Sequence, residues 1–96
     1  MIQLRHMAKH LDIKIYGRVI GVGFRWSAKG QADKLGICGI VRNVDEDRVE
    51  AEAEGEEPSL KKFLAWCRKG PFWAKVERVE SAEGKMKGYK DFRVVI

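Results

Sequence analysis

The chain has 96 residues, of which 45% are hydrophobic and 34% are charged, and its formal net charge is +5. This length and composition predict one soluble globular domain, and no apolar run approaches the roughly 20 residues that a membrane-spanning helix needs. The positive charge favours an anionic partner, and three classes of partner fit: a phosphorylated metabolite, a nucleic acid and a membrane surface. The lysines and arginines are scattered along the chain, so a nucleic-acid-binding arm is not expected. No apolar signal region follows a basic start, so the sequence predicts a cytoplasmic protein.

Residues 1–10 show no clear period and are predicted to form a flexible lead-in, so the domain is expected to span residues 11–96. Both histidines of the sequence, His6 and His10, fall in this lead-in. A histidine acting as a general base would therefore have to come from the lead-in. From Leu11 onward, apolar residues alternate with the polar Asp12 and Lys14, which is typical of a half-buried strand.

The stretch YGRVIGVGFR, residues 16–25, contains three glycines and joins this strand to a helical pattern. Glycine permits positive φ and lets a ligand approach the main chain, and successive N–H groups at a helix N-terminus bind phosphate. The stretch therefore predicts an anion cradle, to which Arg25 adds a full charge and a planar fork of donors. The spacing excludes a P-loop, and a dinucleotide-binding fingerprint lacks its third glycine. On the residues alone, an ordinary glycine-rich turn that caps a helix remains the alternative.

The next segments predict a helix followed by a hairpin. Apolar residues recur at helical spacing from Phe24 to Leu35, and Gly36 is placed to end the helix. Residues 37–43 form an apolar run typical of a central strand, and residues 48–54 alternate between a face of Val49, Ala51 and Ala53 and a face of Glu50, Glu52 and Glu54. The acidic turn at residues 45–47 is interpreted as an exposed hairpin loop, because a hard cation needs six or more oxygens.

Pro58 is predicted at the first position of a second helix that ends before Gly70. A strand at residues 74–80 follows, in which the spacing of Val76 and Val79 indicates a bulge, and a loop at residues 83–90 leads to a short strand at residues 92–96. The two cysteines, Cys38 and Cys67, are too few for a zinc framework and are expected to be buried, unpaired thiols. The element order predicts an α+β, ferredoxin-like βαββαβ sandwich: an antiparallel sheet, two helices on one face and a short extra C-terminal strand.

Two segments resemble the two signatures of the acylphosphatase family: YGRVIGVGFR, and GIVRNVDEDRVEAEAEG at residues 39–55. Ile20, Ile40 and Asp47 depart from the family pattern, whereas Arg25 and Asn43 match it. The resemblance implies a hydrolase that splits an acyl phosphate into a carboxylate and inorganic phosphate without a metal or an organic cofactor. It also implies that Arg25 binds the phosphoryl oxygens and that Asn43 orients the attacking water. The backbone of six residues would complete the cradle: Arg18, Val19, Ile20, Gly21, Val22 and Gly23.

The chemistry of the residues agrees with this reaction class. No Ser-His, Cys-His or metal-ligand arrangement is evident in the sequence, which leaves direct attack by water on a held phosphoryl group. A carboxylate leaves without a general acid because the pKa of its conjugate acid is about 4. The alternative is a non-catalytic phosphate-binding, protein-interaction or RNA-binding module of the same fold, but an RNA-recognition sheet needs aromatic residues on a central strand. We therefore predict a monomer that acts on a small-molecule acyl phosphate and binds neither nucleic acid nor membrane.

Overall fold

The computed structural model describes residues 8–96, which form five strands and two helices. In chain order these are β1 (Lys9–Arg18), α1 (Phe24–Leu35), β2 (Cys38–Val44), β3 (Arg48–Gly55), α2 (Glu57–Lys69), β4 (Lys75–Gly84) and β5 (Phe92–Val95). The strands form one sheet in the order β4-β1-β3-β2-β5. The ferredoxin-like order with a short extra C-terminal strand is thus confirmed.

The sheet is mixed, because β5 pairs in parallel with β2 whereas the other neighbours are antiparallel. The reason lies in the connection between β4 and β5. β4 ends at the same end of the sheet at which β1 begins. Residues 85–91 then cross from β4, at one edge of the sheet, to β5, at the other edge, and stay at that end of the strands. β5 therefore starts at the end where β2 starts and runs in the same direction.

Both helices end where the sequence predicts. Gly36 takes the left-handed conformation after α1, with φ of 69°, and its N–H bonds to the helix carbonyls of Ala32 and Asp33. α2 begins at Glu57, so Pro58 is its second residue and not its first as predicted, and Gly70 ends that helix as predicted. No helix in residues 8–96 is both long and apolar enough to cross a membrane.

The core lies between the two helices and one face of the sheet, which we call the covered face; the other face is the open face. α1 packs on β2 and β5, and α2 packs on β4, β1 and β3. The alternation predicted for β3 is confirmed, since its three apolar residues are buried. The predicted bulge is also present: Tyr16 pairs with Arg78 and Gly17 with Val76, so Glu77 is an extra residue in β4.

The sheet begins two residues earlier than the predicted domain boundary, because Lys9 and His10 belong to β1. Residues 1–7 of the predicted lead-in, including His6, lie outside the described residues. His10 is only 1% exposed and Glu54 only 3%, although Glu54 belongs to the open face. Glu54 is covered because residues 85–91 fold over this end of the sheet and donate backbone N–H groups to its carboxylate.

Cys38 and Cys67 are both free, as predicted, but only Cys67 is buried; the prediction that Cys38 is buried is wrong. They lie on opposite sides of the sheet: Cys67 is fully buried under the covered face, whereas Cys38 is three residues from the buried Val41 and so has the opposite side-chain direction. Burial raises the pKa of the Cys67 thiol to about 12, against a smaller opposing effect of Arg68. The sheet itself therefore separates the two thiols.

Candidate active site

The glycine-rich stretch forms an open loop between the end of β1 at Arg18 and the start of α1 at Phe24. Gly21 and Gly23 take left-handed backbone conformations, with φ of 75° and 77°, which residues with a side chain adopt only at a cost. A Cβ added at either glycine would meet no atom within 4 Å, so the outer side of the loop is open. The side chain of Val19 is 1% exposed and anchors the loop in the core. A small ligand can thus reach the main chain of this loop.

The backbone N–H groups of the loop are largely free to bind a ligand. Val19 already donates to Gly17 O at 3.0 Å, and the first backbone bond of α1 runs from Ser27 N to Gly23 O at 3.1 Å. Within residues 8–96, no backbone carbonyl accepts from the N–H groups of residues 20–23. These four donors lie at the positive end of the α1 dipole, which is the arrangement that binds anions. Of the six residues of the predicted cradle, these four have N–H groups without a backbone acceptor, whereas the N–H of Val19 is already bonded.

The start of the loop is fixed by the two elements on either side of it. Gly17, with φ of 132°, donates its N–H to Asp47 O at 3.1 Å, which ties the β2–β3 hairpin to the cradle. On the other side, a Cβ added at Gly17 would lie 2.2 Å from the backbone oxygen of Lys75. Only glycine fits at this position, so the cradle begins at a defined place between the hairpin and β4.

Arg25 is the second residue of α1 and is half-buried. Its Nη1 donates to the backbone oxygen of Val95 in β5 at 3.0 Å. An arginine has five N–H donors, so this bond holds the side chain in place and leaves the others for an anion. Lys29, one turn further along α1, donates in the same way to Phe92 O at 3.0 Å. These contacts with the C-terminal strand have no signal in the sequence, since they join residues more than 60 positions apart.

Asn43 is next to the last residue of β2 and pairs with Val49 of β3. Side chains alternate along a strand, so Asn43 lies on the same side as the fully buried Val41, which is the covered face. α1 packs against β2 on that face, and Asn43 is partly exposed there. Arg25 and Asn43 therefore lie on the same face and at the same end of the sheet as the cradle.

The hairpin that follows Asn43 is a three-residue turn at residues 45–47, as predicted, with a positive φ of 59° at Asp45. The departure from the family pattern at position 47 is thus accommodated by a left-handed residue elsewhere in the turn. Aspartate is among the residues that tolerate this conformation.

His10 lies at the far end of β1 from the cradle. His10 and Arg18 are eight positions apart, which is about 26 Å along a strand. It forms, with Asp12 and Glu52, a group of ligand atoms within 4.8 Å of one another that could hold a metal ion. Glu52 in that group already accepts from Lys87 Nζ at 2.7 Å and from the Tyr89 hydroxyl at 2.8 Å. Neither His10 nor this group can reach a phosphoryl group held in the cradle.

Comparison with known proteins gives consistent matches over nearly the whole chain. The family model described as Acylphosphatase matches residues 11–94. An acylphosphatase from Thermococcus kodakarensis is 42% identical over 92 residues, which cover 96% of this chain and 99% of that protein. The solved structure of an acylphosphatase from Coxiella burnetii superposes with a TM-score of 0.92 at 33% identity, covering 99% of this chain and 100% of the other. The acylphosphatase structure from Bacillus subtilis gives a TM-score of 0.87 at 36% identity, covering 91% of this chain and 98% of the other.

Proposed function

Because this chain belongs to the acylphosphatase family and is an acylphosphatase by these relationships, we propose that Arg25 and Asn43 are its catalytic residues. The reaction is hydrolysis of the anhydride between a carboxyl group and phosphate. Water forms a new bond to phosphorus, and the bond from phosphorus to the carboxylate oxygen breaks. The carboxylate leaves with the electron pair, and the proton lost by water passes to the phosphate product or to solvent.

In this proposal the phosphoryl oxygens accept hydrogen bonds from the backbone of residues 20–23 and from Arg25. The observation that carries it is the run of four N–H groups without a backbone acceptor at the N-terminus of α1, beside an arginine whose position is fixed by Val95. Donors already in place need no rearrangement as charge develops on the equatorial oxygens, so they stabilise the transition state.

Asn43 would hold the attacking water. Its side-chain amide offers both a donor and an acceptor and has no hydrogen-bond partner in the described part of the chain. The water would lie between this amide and the phosphoryl group, and correct placement alone is worth several orders of magnitude in rate. No general acid is required, because a carboxylate is a stable leaving group. The proposed steps use only protein groups and water.

We further propose that the enzyme acts on a small-molecule acyl phosphate, as a monomer in the cytoplasm, and does not bind nucleic acid. The charge pattern of β3 supports the last point. Its open-face residues Glu50 and Glu52 are acidic, and β3 has no aromatic residue in the position where an RNA-recognition sheet carries stacking aromatic residues.

The test is release of inorganic phosphate from benzoyl phosphate in the presence of a chelator, with a phosphate monoester as the comparison substrate. We expect cleavage of the anhydride only. Asn43→Ala should stay folded and be inhibited by inorganic phosphate as the wild type is, while turnover falls by roughly 100-fold or more. Arg25→Ala should lose both turnover and phosphate inhibition.

Arg93→Ala is the matched control, since it removes the same charge from an exposed side chain that pairs with Asp91, and it should behave as the wild type. Normal turnover in Asn43→Ala would disprove the water-positioning role. Phosphate inhibition retained in Arg25→Ala would count against the role of Arg25 in the cradle.

A further inference from the structure

Two large aromatic side chains are exposed side by side in the short connection between α2 and β4. Phe72 is 88% exposed and Trp73 is 72% exposed. Their rings meet edge to face, with centroids 4.9 Å apart and an interplanar angle of 81°. The connection is turned by a bond from Ala74 N to Pro71 O at 3.0 Å. Aromatic residues are enriched at binding sites, so an exposed pair in a defined turn needs a reason.

Both ends of this connection adjoin the two ends of the cradle. Before it, Gly70 packs against Phe24, the first residue of α1, so closely that an added Cβ would lie 3.0 Å from the ring. After it, Lys75 is the pairing partner of Arg18, the last residue of β1. The four residues between them span at most about 14 Å. The aromatic turn, residues 71–74, therefore connects a residue in contact with the start of α1 to a residue paired with the end of β1, which are the two ends of the cradle.

The aromatic turn and Asn43 lie on opposite sides of β1, the strand that leads into the cradle. In the sheet, β4 is on one side of β1, whereas β2, which carries Asn43, is on the other side beyond β3. In phosphoryl transfer the attacking and leaving oxygens are roughly in line across phosphorus. With water held on the Asn43 flank, the acyl group leaves toward the flank of the aromatic turn.

From this placement we infer that Phe72 and Trp73 form a subsite for the acyl group, and that the enzyme favours acyl phosphates with an aromatic or large apolar acyl group. The inference rests on the proposed function, because it uses the position of the attacking water. An aromatic acyl group would pack on the exposed faces of this pair, which are arranged as aromatic rings prefer. An acetyl group is too small to gain the same contact.

The experiment compares kcat/KM for benzoyl phosphate and for acetyl phosphate in the wild type and in a Phe72→Ala, Trp73→Ala double variant. We expect the benzoyl-to-acetyl ratio of the wild type to fall by about 10-fold or more in the double variant. Met86→Ala is the matched control. Met86 is 49% exposed and belongs to the loop that covers Glu54 at the other end of the sheet, so the benzoyl-to-acetyl ratio of this variant should equal that of the wild type.

The outcomes separate the inference from the proposed function. A wild type that cleaves neither substrate would contradict the proposed function itself. When the wild type cleaves both substrates and Asn43→Ala cleaves neither, the proposed function stands. An unchanged benzoyl-to-acetyl ratio in a double variant whose circular dichroism is that of the wild type would then overturn the subsite alone.

Discussion

The buried pair of His10 and Glu54 gives a quantitative prediction about stability. His10 Nδ1 lies 2.6 Å from Glu54 Oε2, and His10 Nε2 lies 2.9 Å from Asp12 Oδ1. With a carboxylate at each ring nitrogen, the imidazole is arranged to hold both protons. Glu54 also accepts backbone N–H groups from residues 87–89 at 2.6, 3.0 and 3.1 Å. We therefore expect Glu54→Gln to weaken this whole end of the sheet.

The pH dependence of the pair follows from the directions of the two pKa shifts. Burial alone lowers the pKa of His10, but hydrogen bonds to Asp12 and Glu54 outweigh it and raise the pKa above 6.5. Burial alone raises the pKa of Glu54, but the N–H of Lys87 and the bond to His10 outweigh it and hold the pKa below 4.5. The histidine contribution to stability is complete below pH 6.5 and is lost as the pH rises through the folded-state pKa. The contribution of Glu54 to stability is complete above pH 4.5 and is lost as the pH falls through the folded-state pKa of Glu54.

The expected loss is large for a domain of this size. Removing one partner of a buried ion pair costs about 3–5 kcal/mol of stability. The free energy of unfolding of a small domain is about 0.05–0.15 kcal/mol per residue, which gives roughly 5–14 kcal/mol for this chain. We expect the lower end for Glu54→Gln, about 3 kcal/mol, because glutamine keeps an acceptor for the loop. A change of 1 kcal/mol moves Tm by about 4–8 °C, so Tm should fall by about 12–24 °C.

The measurement is urea unfolding of the wild type, His10→Gln, Glu54→Gln and the double variant at pH 5.5 and pH 8.5. The two changes should be strongly non-additive at pH 5.5. The control is Glu83→Gln, which removes an exposed carboxylate 3.8 Å from Lys9 and should change stability by less than about 0.5 kcal/mol. Additive losses at pH 5.5, or a pH dependence in His10→Gln equal to that of the wild type, would refute the reasoning.

Three further outcomes are expected. Gly17→Ala should lower the free energy of unfolding by about 1–3 kcal/mol, because its φ is 132° and its Cβ would lie 2.2 Å from Lys75 O; an unchanged urea midpoint would contradict this. Deleting residues 95–96 removes the carbonyl that Arg25 contacts and should cut benzoyl phosphate turnover roughly tenfold or more. Deleting residue 96 alone keeps that carbonyl and should leave turnover unchanged. Equal activities of the two deletion variants would disprove the role of this contact in positioning Arg25. The Cys67 thiol, fully buried with a pKa raised to about 12, should react with a thiol reagent only when urea unfolds the protein, and rapid labelling of the native state would show that it is accessible.

Local signals predicted most of the fold. Alternation set the faces of β3, and Gly36, Pro58 and Gly70 marked the helix ends, because each of these effects depends on residues a few positions apart. The glycine-rich stretch gave the place of the cradle for the same reason. Arg25 follows from the same stretch, because it supplies a charge beside the glycines, whereas the role of Asn43 is identified only through the resemblance.

What the sequence did not reveal depends on contacts between distant segments. Alternation assigned Glu54 to the open face, yet a loop more than 30 positions away buries it. The sequence places His10 in the lead-in, because the alternating pattern of the first strand gives no reason to begin that strand before Leu11. Only the contact between His10 and Glu54 shows that His10 belongs to the sheet. The bond from Arg25 to Val95 also needs the parallel placement of β5. No periodicity encodes these tertiary pairings.

The position of β4 at the edge of the sheet has a consequence for solubility. One side of this strand, which is ten residues long, faces no other strand of the described sheet, and an unpaired strand edge is a template onto which a second molecule can add a strand. The edge carries charged side chains of both signs, among them Lys75, Glu77 and Arg78, and the bulge at Glu77 interrupts its regular pairing pattern. Since the Debye length shrinks from about 10 Å at 0.1 M salt to about 3 Å at 1 M, concentrated salt weakens the charge part of this protection and leaves the bulge to keep molecules apart.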